Sequence, residues 1–267
     1  MPRQLVPPAL SLRIATYNIH KGFSQFNRRM MVHELRDQLR LLAADIVFLQ
    51  EVQGAHLRHG ERFSDWPAQP QYEFLADAVW SEFAYGRNAV YEQGHHGNAL
   101  LSRFPIVHTH NRDVSAHAFE QRGLLHCAIA VPGYVQDLHC VCVHLALGER
   151  GRRYQIDQLI DTLRQAVPSN APVIVAGDFN DWRNFAGRRL IDTLGLTEAL
   201  QSQCGQPARS FPSAFPLFRL DRIYVRGFTV LHAQVHTGEP WSGISDHAAL
   251  SATLQLQAAP ATVAHGA

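Results

Sequence analysis

Eight short apolar runs recur along the chain, most of them bounded by a polar residue: 12–18, 45–51, 99–102, 124–131, 138–144, 173–178, 220–225 and 248–254. Val, Ile, Leu and Cys dominate them, as expected of strands buried on both faces. Helical spacing appears between them. Met31, Leu35, Leu39 and Leu42 predict a helix over 28–42, and Ile156, Leu159, Ile160 and Leu163 predict one over 152–167, stopped by Pro168. A shorter helix is expected over 186–194. Strands and helices mix without strict βαβ alternation, which predicts an α/β chain of two packed sheets with helices outside, not a Rossmann fold or a TIM barrel. Segments 52–97 and 203–219 read as long loops, and loops of that length are often functional.

The composition agrees. Of 267 residues, 46% are hydrophobic and 18% charged, enough for a sizeable core. Lys+Arg is 24 against Asp+Glu 23, a net charge of +1, which excludes a disordered chain and a polybasic nucleic-acid arm. With no repeat and no low-complexity linker, one domain is expected over 12–256, with an extension at 1–11 and a flexible tail at 257–267. No apolar run has the length of a signal peptide or a membrane span, so a cytoplasmic protein is expected; a monomer is expected as well. Cys127, Cys140, Cys142 and Cys204 lack the two close pairs of a metal site and read as ordinary thiols.

The polar residues at the strand ends carry the chemistry. Asn18, Glu51, His144, Asp178, Asn180, Asp221, Asp246 and His247 all stand where strands begin or end. Such positions converge on a sheet rim. The set offers hard oxygen ligands and two imidazoles but no thiolate cluster, which selects Mg²⁺, Mn²⁺ or Ca²⁺ over zinc.

These residues lie in the blocks ATYNIHKG (15–22), DIVFLQEV (45–52), GNALLSRFPI (97–106), VHLAL (143–147), VAGDFND (175–181), RLDRIYV (219–225) and SDHAAL (245–250). In this order they resemble the endonuclease/exonuclease/phosphatase superfamily, the group of DNase I, abasic-site nucleases, neutral sphingomyelinases and inositol polyphosphate 5-phosphatases. The resemblance implies a DNase I-like four-layer sandwich, two mostly antiparallel sheets flanked by helices, with the site at one edge. It implies a Mg²⁺-dependent phosphodiesterase or phosphatase that attacks phosphorus with water. Glu51, Asn18 and Asp246 would hold the metal. Asp178 would orient the water, Asn180 would donate to the phosphoryl oxygens, and His247, oriented by Asp221, would act as base or transition-state partner. His144 would serve the leaving oxygen. Abasic-site nucleases carry tyrosine there, so VHLAL points to the DNase I and sphingomyelinase branches. Arg122 would contact phosphate, and Asn98 would shape its loop or touch substrate.

Other features carry less. His20 and Lys21 could touch phosphate or stay solvated. His95 and His96, adjacent in a Gly-rich stretch, read as exposed loop residues. Arg150, Arg152 and Arg153 hint weakly at an anionic partner. The residues before Gly177 and Asp221 do not fit a 5-phosphatase. A phospholipid or a nucleic acid is the expected substrate; the low net charge argues against a general basic groove for DNA. Aromatics at 60–90 and 211–218 could touch lipid, stack on bases or pack the loops. Peripheral membrane contact stays open, and a catalytically silent scaffold is the remaining alternative.

Overall fold

The computed structural model describes residues 11–77, 79–117 and 119–257. The expected extension and tail lie almost wholly outside these residues. Among the described residues twelve strands form: β1 (Ser11–Asn18), β2 (Ile46–His56), β3 (Glu82–Tyr91), β4 (Gly94–Ser102), β5 (Ile106–Asp113), β6 (Gly123–Ile129), β7 (Leu138–His144), β8 (Val173–Asp178), β9 (Thr197–Glu198), β10 (Asp221–Arg226), β11 (Phe228–His236) and β12 (Ala249–Leu256). The helices are α1 (Val32–Leu42), α2 (His59–Arg62), α3 (Gln71–Ala76), α4 (Glu149–Ala166), α5 (Phe185–Leu194), α6 (Ala199–Cys204) and α7 (Trp241–Ile244). The first sheet runs β11-β12-β1-β2-β4-β3 and the second β5-β6-β7-β8-β10-β9. Pairing is parallel at β1–β2 and β7–β8 and antiparallel at the other junctions.

Three apolar slabs hold the layers. Between the sheets lie Leu12, Ile14, Phe48, Leu100, Leu125, Cys140, Cys142, Ile174 and Leu250. Outside the first sheet, α1 sets Leu35, Leu39 and Leu42 against Ala15, Val47 and Leu101. Outside the second, α4 sets Ile156, Leu159 and Leu163 against Val141, Val143 and Val175. Each fully buried side chain of this size contributes about 1.5–3 kcal/mol. The expected four-layer sandwich is therefore present, with helices as outer layers. Helix α4 ends where expected, because Pro168 pushes Val167 into an extended conformation. It starts three residues before the expected 152, with Glu149 favourably placed in its first turn. Helix α1 starts later than expected, at Val32, because Met30 pairs with Phe23 in a bridge.

Segment 52–97 departs from the expected loop. It holds the end of β2, α2, α3, all of β3 and the start of β4. Many of its aromatics pack against each other: Tyr72 stacks on Tyr85 at 4.6 Å, Phe23 meets Phe63 and Trp66, and buried Trp80 donates to the Ala44 carbonyl. β3 escapes the apolar-run criterion because it is an edge strand, exposed along one side.

Asp178 and His144 can sit side by side because β7 and β8 approach closely at Gly177. That residue has φ +146, and a Cβ there would lie 2.0 Å from the Val143 carbonyl oxygen. Gly177→Ala is expected to cost about 2–4 kcal/mol. Urea unfolding measures this; a loss below about 0.5 kcal/mol would show that the two strands part without penalty.

Candidate active site

Strand register builds the site. In β7–β8, His144 pairs with Asp178, and in β8–β10, Asp178 pairs with Asp221. The three side chains thus form one row across the end of the second sheet. The first sheet contributes Asn18 at the end of β1 and Glu51 from within β2. The β2–β4 pairing slips between Leu49 and Val52, and Glu51 takes a left-handed φ of +59 there. A non-glycine residue in that region costs about 1–3 kcal/mol. The bulge breaks the alternation of the pleat, and Glu51 lines the cleft between the sheet ends. Asn180, at φ +49, makes the matching turn after β8.

Hydrogen bonds fix these groups. The Asn18 amide donates to Glu51 Oε1 at 3.4 Å and to Asp178 Oδ2 at 3.2 Å, so it bridges the two sheets. Its oxygen already accepts the His20 backbone N–H at 3.1 Å, which sets the amide's orientation. His247 Nδ1 lies 2.8 Å from Asp221 Oδ2, and its Nε2 lies 3.8 Å from Asp178 Oδ2. His144 Nε2 is 3.6 Å from the same Asp178 oxygen. Asn180 gives one amide hydrogen to the Leu145 carbonyl at 2.9 Å, leaving the other for a ligand. Asp178 Oδ1 accepts the Asn180 backbone N–H.

The two histidines are held in opposite states. Burial works against a charge on His247, but the Asp221 and Asp178 carboxylates outweigh it and raise the group to about 10. Burial, reinforced by the Arg122 guanidinium, holds His144 neutral, well below the ordinary imidazole range. Burial also raises Asp178 above the usual carboxylate range; the His247 charge opposes this and Asp221 adds to it. For Glu51, burial is outweighed by the neighbouring imidazoles and Lys21, and the group is lowered. With His144 neutral, the Lys21 ammonium 3.5 Å away carries much of that pull.

A divalent cation fits this centre. The carboxylate oxygens of Asp178 and Asp221 would be its donors; they and a ring nitrogen of His247, which keeps its proton, lie within 4.8 Å of one another. Asp221 Oδ1 is buried with no hydrogen-bond partner, an acceptor that a cation would satisfy. Glu51 reaches this group through the shared Asn18 amide. The expected ligand Asp246 lies 3.3 Å from His20 Nδ1, accepts a hydrogen bond from Ser245, and adds to the carboxylate charge that raises His247.

The cleft measures about 610 Å³. Lys21, Glu51, His96, Arg122, His144, Asp178, Asn180 and His247 form its polar floor, and Leu147, Trp182, Phe211, Phe218 and Leu220 one apolar wall. Arg122 is on the floor as expected, tied to Glu120 Oε1 at 3.2 Å and to the Gln121 and Leu145 carbonyls. Asn98 is not: buried beneath, it donates to the Gly123 and Cys142 carbonyls and so joins the two sheets. The loop reading of His95 and His96 is corrected, since both lie in β4. The bulge beside Glu51 brings His96 into the cleft, with its Nδ1 buried and unpartnered. Burial and the Lys21 charge lower His96 to about 4, a neutral imidazole. Its place in a Gly-rich stretch gave no sign of this.

Comparison with known proteins adds a lineage. A family model described as Endonuclease/Exonuclease/phosphatase family matches residues 15–247. A protein of Escherichia coli (strain K12), described as uncharacterized protein YbhP, is 50% identical over 246 residues, covering 92% of this chain and 97% of that one. Among solved structures, an endonuclease/exonuclease/phosphatase from Beutenbergia cavernae aligns with TM-score 0.73 at 21% identity, over 94% of this chain and 73% of its own. D. rerio TDP2 complexed with single strand DNA product aligns with TM-score 0.67 at 21% identity, over 92% and 99%. A match running from β1 to His247 takes in the whole second sheet, the first sheet short of β12, and every strand end described above, and the chain belongs to the endonuclease/exonuclease/phosphatase family.

Proposed function

We propose that this chain is a Mg²⁺-dependent phosphodiester hydrolase, closer to the DNase I- and sphingomyelinase-like members than to the abasic-site nucleases. The observation that carries the reading is the buried Asp178–Asp221–His247 cluster, of which Asp178 and His247 line an open cleft, with Glu51 facing the same Asn18 amide. His144 in place of the abasic-site tyrosine supports the branch. When bound, the cation supplies charge neutralisation and Lewis acidity at the phosphoryl oxygens; Mn²⁺ or Ca²⁺ would suit the same oxygen donors.

The side chains divide the remaining work. Asp178, raised by burial, accepts a hydrogen bond from water and aims it at phosphorus in line with the leaving oxygen. His247, held protonated by Asp221, meets the negative charge that grows on the phosphoryl oxygens. The free amide hydrogen of Asn180 and the guanidinium of Arg122 add donors for the same oxygens. His144 faces the leaving oxygen. Among the described residues no Ser or Cys lines the cleft, so the reading needs no covalent intermediate.

The wall of Leu147, Trp182, Phe211, Phe218 and Leu220 supports a substrate with an apolar group beside its phosphate, and a phospholipid is the first choice. A nucleic acid is the second, because Trp182 and Phe218 are half exposed and could stack on bases. Among the described residues no helix is long and apolar enough to cross a membrane. Four free thiols suit a reducing compartment, and we assign the chain to the cytoplasm as a monomer.

With bis-p-nitrophenyl phosphate and Mg²⁺, EDTA should abolish turnover, and His247→Ala and Asp221→Asn should each lower kcat about 10²–10⁴-fold. Undiminished turnover in EDTA would remove the metal from the reading. The pH–rate profile should be bell-shaped. Activity rises as Asp178 ionises, above the usual carboxylate range, and falls only toward pH 10 as His247 loses its proton. An alkaline limb near pH 7 would contradict the assigned charge of His247. In a parallel panel of phosphatidyl lipid vesicles, plasmid DNA, abasic DNA, RNA and inositol phosphates, turnover of lipid is expected. Nicking of plasmid without lipid turnover would reverse the substrate order.

A further inference from the structure

Far from the cleft, the second sheet carries an imidazole cluster that the proposed hydrolysis does not use. Across β5, β6 and β7, His110 pairs with His126, while His108 pairs with Ala128 and Ala128 with His139. Cross-strand partners share a face, and so do residues two apart in one strand. All four histidines therefore stand on the outer face of this sheet. His108, His126 and His139 surround the small side chain of Ala128. We propose that these three form a second metal site, one that takes zinc or a similar borderline divalent cation.

The spacing is that of a metal pair awaiting a third ligand. His126 Nε2 and His139 Nδ1 are 3.0 Å apart, and their ring centres are 5.2 Å apart. Two imidazoles on one tetrahedral zinc, each at about 2.0–2.1 Å, hold their nitrogens about 3.3 Å and their ring centres about 5 Å apart. The pair needs little movement to reach that geometry. The ring of His108 is centred 6.4 Å from that of His126. His108 is exposed on an edge strand, so a rotamer change can turn it inward. Asp137, two residues before His139, or a water would supply the fourth ligand.

Chemistry favours the same cations. Imidazole donors suit zinc, copper and nickel, whereas Mg²⁺ prefers oxygen. His126 is buried, and burial with the neighbouring imidazoles lowers it to about 4, so the ring is neutral, the form that binds metal. Burial lowers His139 as well. Two neutral rings in contact share one N–H. On metal binding that proton moves to the other nitrogen of its own ring, and both facing nitrogens present lone pairs. The opposing charge nearby is Arg226, in the same row through Val173. Its Nη2 is engaged by the Pro168 and Ala171 carbonyls. Asp137 acts in the opposite sense on His139. His139 and His144 stand five residues apart on β7, roughly 17 Å, so this site and the cleft are separate.

The test is a calorimetric Zn²⁺ titration of the EDTA-stripped full chain, with Co²⁺ absorption reporting coordination geometry. Wild type, His108→Gln, His139→Gln and the cleft variant Asp221→Asn are compared, and circular dichroism confirms that each is folded. A zinc equivalent with tetrahedral Co²⁺ bands is expected in wild type and is retained in Asp221→Asn, where any equivalent held by the cleft is lost. In His108→Gln and His139→Gln its affinity should fall at least about tenfold, while Mg²⁺-dependent turnover of bis-p-nitrophenyl phosphate stays at the wild-type rate. The proposal is overturned by an absence of zinc binding in wild type, by equal affinity in both histidine variants, or by zinc binding lost in Asp221→Asn alone.

Discussion

One side-chain amide ties the two halves of the sandwich together where the chemistry would occur. Asn18 belongs to the first sheet, and its two hydrogens reach Glu51 on the same sheet and Asp178 on the other. Sheets packed only through apolar side chains have no directional contact to fix their relative slide. Here Asn98 adds donors to two carbonyls of the second sheet, and Gln50 and the Leu49 carbonyl meet Cys142 Sγ from across the interface. Each such bond is worth only about 1 kcal/mol net, small beside the core. Their value is in position: all lie beneath the cleft, so the carboxylates of the two sheets keep their spacing.

That spacing sets the charges. Asp178 lies between two imidazoles, and the surroundings send them opposite ways. His247 is pinned by Asp221 and carries a proton; His144 lies beside Arg122 and does not. A pair of like groups separated in this manner can donate and accept within one reaction. The overall charge of +1 conceals this local order. Lys21 and Arg122 are the Lys/Arg cations of the cleft floor, and each is already matched, to Glu51 and to Glu120. An anionic substrate would thus meet a balanced surface and not a basic groove.

Legibility in the sequence followed burial. The eight apolar runs correspond to β1, β2, β4, β6, β7, β8, β10 and β12, the interior strands of both sheets. The four that escaped, β3, β5, β9 and β11, are the four sheet edges. An edge strand needs an apolar side chain on one face at most, so IVHTHNRD and FTVLHAQVH lack a continuous apolar run. The rim residues were legible for a related reason: a polar side chain directly after a buried strand has few places to go. His96 was not, because its direction depends on a bulge in the neighbouring strand. For Asn98 the sequence does not show which carbonyls of the opposite sheet its amide will meet. The aromatics divided in the same way: those of 63–85 largely pack among themselves, while Phe211 and Phe218 reach the cleft.

The polar character of those edges has a consequence beyond legibility. An open edge presents a row of unpaired backbone donors and acceptors that another copy of the chain could extend. β5 answers with His108, His110, Asn111, Arg112 and Asp113, β9 is only two residues long, β3 carries a slip at Arg87–Ala89, and β11 one at Val230–His232. A neighbour attempting to continue either sheet would have to desolvate charged groups or follow a kink. Two six-stranded sheets can thus coexist at high concentration without growing into each other, and the interior strands can remain as apolar as the core requires.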